Sequence, residues 1–176
     1  MTAADIARQL ETEFGPAARA TTDGLDPFVT VDPARLVEIM TILRDDPRYR
    51  FEILNDISGV DYLEPDPKKV AKAGFEPHVE VVYHLSSFTF PGRRFTVKVS
   101  LPRWKDGTPG ALPEIPTLAD VWATADWQER EVYDLVGVRF LGHPNLQRIL
   151  LADDWVGHPL RKDYEYPVEY HDIRCR

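Results

Sequence analysis

The sequence predicts an α+β fold, a two-layer sandwich of helices on a small, mainly antiparallel sheet. Two N-terminal segments carry apolar residues at helical intervals, and the middle of the chain alternates between apolar and polar residues with a period of two. Beyond residue 142 these periodicities weaken. We therefore expect an α+β domain at residues 1–141 and an extended, partner-binding C-terminal arm at residues 142–176.

Two amphipathic helices are predicted ahead of the sheet. Ile6, Leu10 and Phe14 recur every four residues, and Gly15-Pro16 ends this pattern. Asp32-Pro33 opens the second helix, with the aspartate as N-cap and the proline at the first position, where its missing N–H costs nothing. The buried stripe of this helix is predicted to consist of Leu36, Ile39, Met40 and Leu43.

The strands are predicted by β-branched and aromatic residues in the middle of the chain. A short strand is expected at residues 28–31 and another within residues 51–63. Apolar residues then alternate with other residues at 79–85 and 95–101, the pattern of strands with one buried face. Because Pro91-Gly92 lies between these two segments, we expect them to form an antiparallel hairpin.

A further helix is predicted at about residues 126–137, after a proline-rich segment that can be neither helix nor interior strand. Asp126 can cap this helix, and Glu129 stands at its third position, as in a capping box. Gly137 falls just past the predicted end, where glycine is favoured.

Composition excludes several classes of function. The chain has 21 basic and 29 acidic residues, which argues against a nucleic-acid partner. Without a run of about 20 apolar residues, it is expected to meet a membrane only indirectly, through other proteins. Its N-terminus has no apolar signal core, which favours the cytoplasm. Cys175 is the only cysteine, so the chain cannot hold an iron–sulfur cluster of the usual kind alone. Phosphate-binding glycine motifs are absent as well.

The charges of the predicted third helix allow two interpretations. Glu131 and Asp134 are three residues apart, the spacing of two cooperating carboxylates on one helix face. Arg130 can pair with Asp134. The favoured interpretation is that these charges, with Glu129, hold the arm or a neighbouring protein by ion pairs, because no nucleophile or phosphate loop accompanies them.

The histidines of the arm raise the question of a metal site. His143, His158, His171 and Cys175 could supply the nitrogen and sulfur ligands that zinc accepts. Their spacing matches no compact zinc finger, and a proline after each of the first two favours extended backbone. The expectation is therefore histidines that bond turns or acids, with no metal site and no catalytic residue in this chain.

The arm combines charged and aromatic residues. Its cations are Arg148, Arg161 and Lys162, its acids Asp153, Asp154 and Asp163, and its aromatic residues Trp155, Tyr164, Tyr166 and Tyr170. Arginine, tryptophan and tyrosine are enriched at protein interfaces. We expect the cations to face the acids of the same arm and the arm to lie across a partner, with docking onto its own sheet as the alternative.

Three consecutive segments carry a family resemblance. They read E-R-E-V-Y-D-L-V-G from Glu129, G-H-P-N-L-Q-R-I-L-L from Gly142, and D-D-W-V-G-H-P-L-R-K-D-Y from Asp153. D-I-S-G-V-D-Y-L from Asp56 and P-T-L-A-D-V-W from Pro116 add to them. Together they resemble the thirty-kilodalton subunit (the C subunit) of respiratory NADH-quinone oxidoreductase, or complex I. Val136 departs from the aromatic residue usual before the glycine.

The resemblance implies a cofactor-free structural subunit of the complex's peripheral arm, on the cytoplasmic side of the inner membrane. Its implied partners are subunits D, B and I of the complex, chiefly the first of these, which forms the quinone site. FMN, iron–sulfur clusters and quinone would belong to partner subunits. The implied interface or signature residues are Glu129, Arg130, Glu131, Asp134, His143, Arg148, Trp155, His158, Arg161, Lys162, Asp163 and Tyr164.

Two other functions stay open at this stage. The nearer one is a homologous subunit of a membrane-bound hydrogenase or related oxidoreductase. The farther one is a freestanding metal-dependent hydrolase that uses His143, His158 and Glu131.

Overall fold

The computed structural model describes residues 1–175. Its α-helices are α1 (Ala3–Phe14), α2 (Leu36–Asp45) and α3 (Ala125–Leu135). Its strands are β1 (Ala18–Thr21), β2 (Phe28–Val31), β3 (Ile53–Tyr62), β4 (His78–Ser86), β5 (Arg94–Pro102), β6 (Glu114–Pro116), β7 (Arg139–Leu141), β8 (Glu169–Tyr170) and β9 (Ile173–Arg174). No helix in this range is long and apolar enough to cross a bilayer.

The first two helices follow their sequence signals closely. Thr2 caps α1 through a reciprocal bond pair with Asp5, so the helix begins at Ala3, slightly before the predicted start. At α2, the Asp32 carboxylate accepts a hydrogen bond from the Ala34 N–H (2.8 Å), and one 3-10 turn precedes the helix proper. The predicted stripe of Leu36, Ile39, Met40 and Leu43 is fully buried.

The main sheet has the strand order β1-β2-β5-β4-β3. The β4–β5 hairpin is antiparallel as predicted, and only the β2–β5 pair is parallel. The α+β fold with a mainly antiparallel sheet is therefore confirmed. Strand β1 was not predicted, because its sequence, Ala18-Arg19-Ala20-Thr21, is short and its apolar residues are alanines, which are not typical of strands; it pairs with β2.

The core lies between the helices and one face of this sheet. That face contributes Val79, Val81, Tyr83, Leu85, Phe95, Val97, Val99 and Leu101, which pack with the buried stripes of α1 and α2. The opposite face carries both polar and apolar side chains, and its Lys98 and Glu80 form an ion pair at 2.8 Å.

Helix α3 joins the core at the edge strand β3. In the sequence it follows β6 and precedes β7, and these two strands pair with each other in parallel. At Gly59 of β3, a Cβ would lie 2.9 Å from methyl carbons of both Val132 and Val136, so only glycine allows this close approach. The part of the arm at 142–175 is irregular apart from the short β8–β9 hairpin.

Candidate functional site: helix α3 and the docked arm

Asp134 is the centre of the contact between α3 and the arm. Its side chain is fully buried, and Oδ2 accepts hydrogen bonds from the backbone N–H groups of Ile149 (3.1 Å), Leu150 (2.8 Å) and Leu151 (2.9 Å). Arg148 donates to Oδ1 at 2.7 Å. Burial alone would raise the pKa of Asp134, but these donors outweigh it and hold the pKa below its usual value.

Glu129 serves a different segment. Its buried carboxylate accepts hydrogen bonds from the Leu118 N–H (2.6 Å) and the Thr117 hydroxyl (2.5 Å), which ties the loop after β6 to α3. Burial raises the pKa of Glu129 to about 7. The predicted capping box with Asp126 is wrong: the helix begins at Ala125, and Glu129 faces the interior because the buried Leu118 N–H needs an acceptor.

Arg130 connects α3 to the start of the arm. It is nearly buried and donates to the carbonyl oxygens of Gln147 (3.1 Å) and Arg148 (3.3 Å). Its guanidinium also lies over the ring of Trp127, 5.1 Å from the centroid. The predicted pairing of Arg130 with Asp134 is not formed, since each side chain instead holds the arm.

Arg161 caps the C-terminus of α3 from within the arm. Its guanidinium donates to the carbonyl oxygens of Val136 (2.5 Å) and Gly137 (3.1 Å), groups that the helix itself leaves without partners. A cation here also complements the negative end of the helix dipole. The ring of Trp104 lies 4.6 Å from the guanidinium, and the Asp61 carboxylate is 3.8 Å away.

A second ion cluster joins the arm to the sheet. The buried Asp61 of β3 accepts two hydrogen bonds from Arg103 (2.7 and 2.8 Å) and one from the Lys162 N–H (2.9 Å). Arg103 also binds Asp163 at 2.7 and 3.1 Å and lowers the pKa of that carboxyl group. The predicted pairing of the arm's cations with the arm's own acids is therefore wrong. Arg148 of the arm pairs with Asp134 of α3, and Asp163 of the arm pairs with Arg103.

His158 packs directly against the backbone at the end of α3. Its Nδ1–H donates to the Asp134 carbonyl oxygen at 2.9 Å. Gly137 has φ 77°, and a Cβ there would lie 2.5 Å from the imidazole of His158. The predicted glycine after the helix is thus required twice, for its backbone angle and for the space that the arm needs.

The remaining predicted ligands do not converge. His143 donates from Nε2 to the Asp126 carbonyl oxygen (2.9 Å), whereas the exposed His171 lies beside Asp154 at 2.7 Å. Cys175 is exposed. Within residues 1–175, no three or more His, Cys, Asp or Glu residues are grouped so that they could hold a metal ion. The histidines instead form hydrogen bonds with backbone carbonyl groups and with an acid, as expected from the sequence.

The other predicted residues lie at the surface of the arm and of α3. Glu131 is exposed while Asp134 is buried, so the two carboxylates do not share a site and the cooperating pair is wrong. Trp155 packs on Tyr170 with centroids 4.9 Å apart, and the Tyr164 hydroxyl donates to the Val156 carbonyl oxygen. Lys162 and Asp163 are exposed.

Sequence reasoning missed Asp61 and Arg103 as site residues. Asp61 lies in the D-I-S-G-V-D-Y-L segment that carries part of the resemblance, so a signal for it was present. Arg103 follows Pro102 in a loop, and its two carboxylate partners are 42 and 60 residues away, so no local pattern marks it.

Fold and site together define a class of protein: an α+β domain in which buried charged residues of α3 bond the C-terminal arm of the same chain. The family model described as "Respiratory-chain NADH dehydrogenase, 30 Kd subunit" matches residues 29–170. The chain belongs to this family, and the resemblance drawn from the sequence is confirmed.

Individual relatives agree with the family assignment. The C subunit of NADH-quinone oxidoreductase from Herpetosiphon aurantiacus is 39% identical over 97% of this chain and 87% of its own length. Its counterpart from Salinispora arenicola is 39% identical over 95% of this chain, which spans 63% of that relative. A solved structure of a trypsin-resistant Nqo5 fragment is 32% identical with a TM-score of 0.57, and the match covers 80% of this chain and 98% of the fragment.

Proposed function

We propose that the chain is a structural subunit of the peripheral arm of proton-translocating NADH-quinone oxidoreductase and carries no redox cofactor of its own. Family membership and the names of its relatives support the complex. The observation that carries the structural role is the position of Asp134, whose buried carboxylate holds three backbone N–H groups of the arm. A buried polar network whose groups are all bonded makes the segment it holds rigid, which supports a structural role.

FMN, iron–sulfur clusters and quinone are assigned to partner subunits in this proposal. The single cysteine, Cys175, supports that division, because iron–sulfur clusters usually take four protein ligands. Membrane association would follow from the complex, on the cytoplasmic side of the inner membrane.

The outer side of the arm is the proposed contact with subunits D, B and I. Five aliphatic side chains of this segment are largely exposed: Leu150, Val156, Leu160, Val168 and Ile173. Exposed apolar residues in one docked segment, next to tyrosines and charges, are typical of a surface that meets another protein.

The test is a pull-down of the tagged chain from detergent-solubilised membranes of its own host. The proposal predicts a large assembly with flavin and iron–sulfur absorbance and NADH-quinone reductase activity. Recovery with a nickel-containing assembly would move the chain to the hydrogenase relatives. A colourless chain without partners would overturn the proposed role.

Substitutions test the assembly role more directly. Arg130→Ala and Arg161→Ala remove the buried donors that hold the arm, and each should lower the amount of chain recovered in the complex. Arg139→Ala, an exposed arginine of β7, is the matched control and should assemble normally. Normal assembly of both buried-arginine variants with selectively lost turnover would contradict the proposal.

A further inference from the structure

The outer edge of β3 is open along its central stretch. Natural sheets protect such edges with short strands, lysine or proline, β-bulges or inward-pointing charges. The opposite edge follows this rule, because β1 has four residues. Strand β3 has ten residues, with a β-bulge between Leu54 and Asp56 and an inward-pointing charge at Asp61. Both lie at the ends of its central stretch Asp56–Val60, which contains neither lysine nor proline.

Helix α3 packs on the face of β3 at Gly59, but neighbouring elements bond this edge only at its ends. Near the start of β3, Thr124 and Gln128 donate to the carbonyl oxygens of Leu54 (3.3 Å) and Asn55 (3.1 Å). Towards the end, the arm reaches the Asp61 side chain through Lys162. Between these points, nothing in residues 1–175 other than β4 bonds the backbone of 56–60. The open length is about five residues, or roughly 16 Å.

A narrow groove runs along the open edge, between β3 and α3. Its volume is about 130 Å³, well below the ~300 Å³ or more of small-molecule sites. Ile57, Gly59, Val132, Leu135, Val136 and Leu160 supply its apolar lining. This size and lining suit one or two apolar side chains of an extended peptide.

Two acids mark the rim of the groove. Asp56 and Glu131 are its charged lining residues, and both are exposed. On the broad opposite face of the sheet, by contrast, the acid Glu80 is already paired with Lys98. An acidic rim beside unpaired backbone groups attracts a strand that carries lysine or arginine.

We propose that the β3 edge at Asp56–Val60 receives an extended, cationic segment of a neighbouring subunit by strand addition. Main-chain hydrogen bonds would extend the sheet, an apolar side chain would enter the groove, and a cation would lie between Asp56 and Glu131. A second copy of this chain fits less well, since its own edge carries the same acids. The inference rests on the proposed function, which supplies the neighbouring subunit.

Amide hydrogen exchange tests the strand directly. The isolated full-length chain is compared with the same chain in the purified complex. Strand addition should slow alternate amides within residues 56–60 by about 100-fold or more, because those N–H groups gain acceptors. A complex that contains the chain but leaves these amides unchanged overturns the inference alone. Absence of the chain from any complex overturns the proposed function and the inference with it.

Charge reversal tests the occupant. The double variant Asp56→Lys and Glu131→Lys should lower retention of the chain in the complex by about tenfold, whereas the isolated chain stays folded by circular dichroism. Asp23→Lys, at an exposed acid outside the groove, is the matched control and should be retained normally. Equal retention of the double variant and the control overturns the inference.

A cross-link identifies the neighbour. A photo-reactive probe on Glu131→Cys, in a Cys175→Ser background, should link to a lysine- or arginine-containing segment of another subunit. A link to a second copy of the chain overturns the proposed occupant.

Discussion

Asp134→Ala is the substitution with the largest predicted effect on the arm. It leaves three backbone N–H groups without their acceptor and removes the carboxylate partner of Arg148, which keeps the carbonyl oxygens of Asp134 and Gly157. Hydrogen bonds to a charged group contribute ~1.5–3 kcal/mol each, so four independent bonds would sum to about 6–12 kcal/mol.

The bonds are not independent, which reduces this sum. Water can enter the space left by the carboxylate, and the Arg148 side chain can turn towards solvent. Removal of one partner from a buried ion pair typically costs ~3–5 kcal/mol, and we expect a loss of that size in the free energy of unfolding. For a chain of this length it corresponds to a melting temperature roughly 10 °C lower.

Urea unfolding followed by circular dichroism measures the loss, and hydrogen exchange locates it. The amides of Ile149, Leu150 and Leu151 should lose protection more than those of β4 and β5, because they lose their acceptor directly. Asp153→Ala, at an exposed acid of the same arm, is the control and should change little. A loss below about 1 kcal/mol for Asp134→Ala, with the three amides still protected, would refute the reasoning.

Three further predictions concern single positions of the same region. Because the pKa of Glu129 is raised from 4.5 to about 7, the stability that its protonation contributes is fully present below about pH 4.5 and is lost as the pH rises through 7. The free energy of unfolding should fall by up to ~3 kcal/mol over that range, and Glu129→Gln should remove this dependence in urea titrations at several pH values. Gly137→Ala should cost ~2–4 kcal/mol, because alanine resists the positive φ and displaces His158; a thermal melt unchanged within about 1 °C would contradict it. Gly59→Ala should lower stability by ~1–3 kcal/mol through overpacking against Val132 and Val136, and an unchanged urea midpoint would show that α3 shifts without cost.

Much of the domain could be predicted from local patterns. The α2 stripe and the β4–β5 hairpin were identified correctly because intervals of 3.6 and two residues report which face of an element is buried. The parallel β2–β5 pair could not be predicted, since strand direction depends on how distant segments meet.

Several residues of the site were predicted, but Asp61, Arg103 and most of the contacts were not. Glu129, Arg130, Asp134 and Arg161 were all singled out, yet Glu129 was assigned to a capping box and the arginines to the wrong acids. Local spacing ranks nearby partners first, and each of these side chains instead bonds a group from another segment.

By itself the sequence determined the fold class, the family and the charged side chains of α3 and the arm. Those properties depend on short intervals and residue order along the chain. Only the tertiary structure decided that the arm folds back on α3 and that Asp61 receives Arg103 across 42 residues. The physical reason is that buried polar groups need hydrogen-bond partners, and the topology of the chain decides which donors and acceptors lie close enough to bond them.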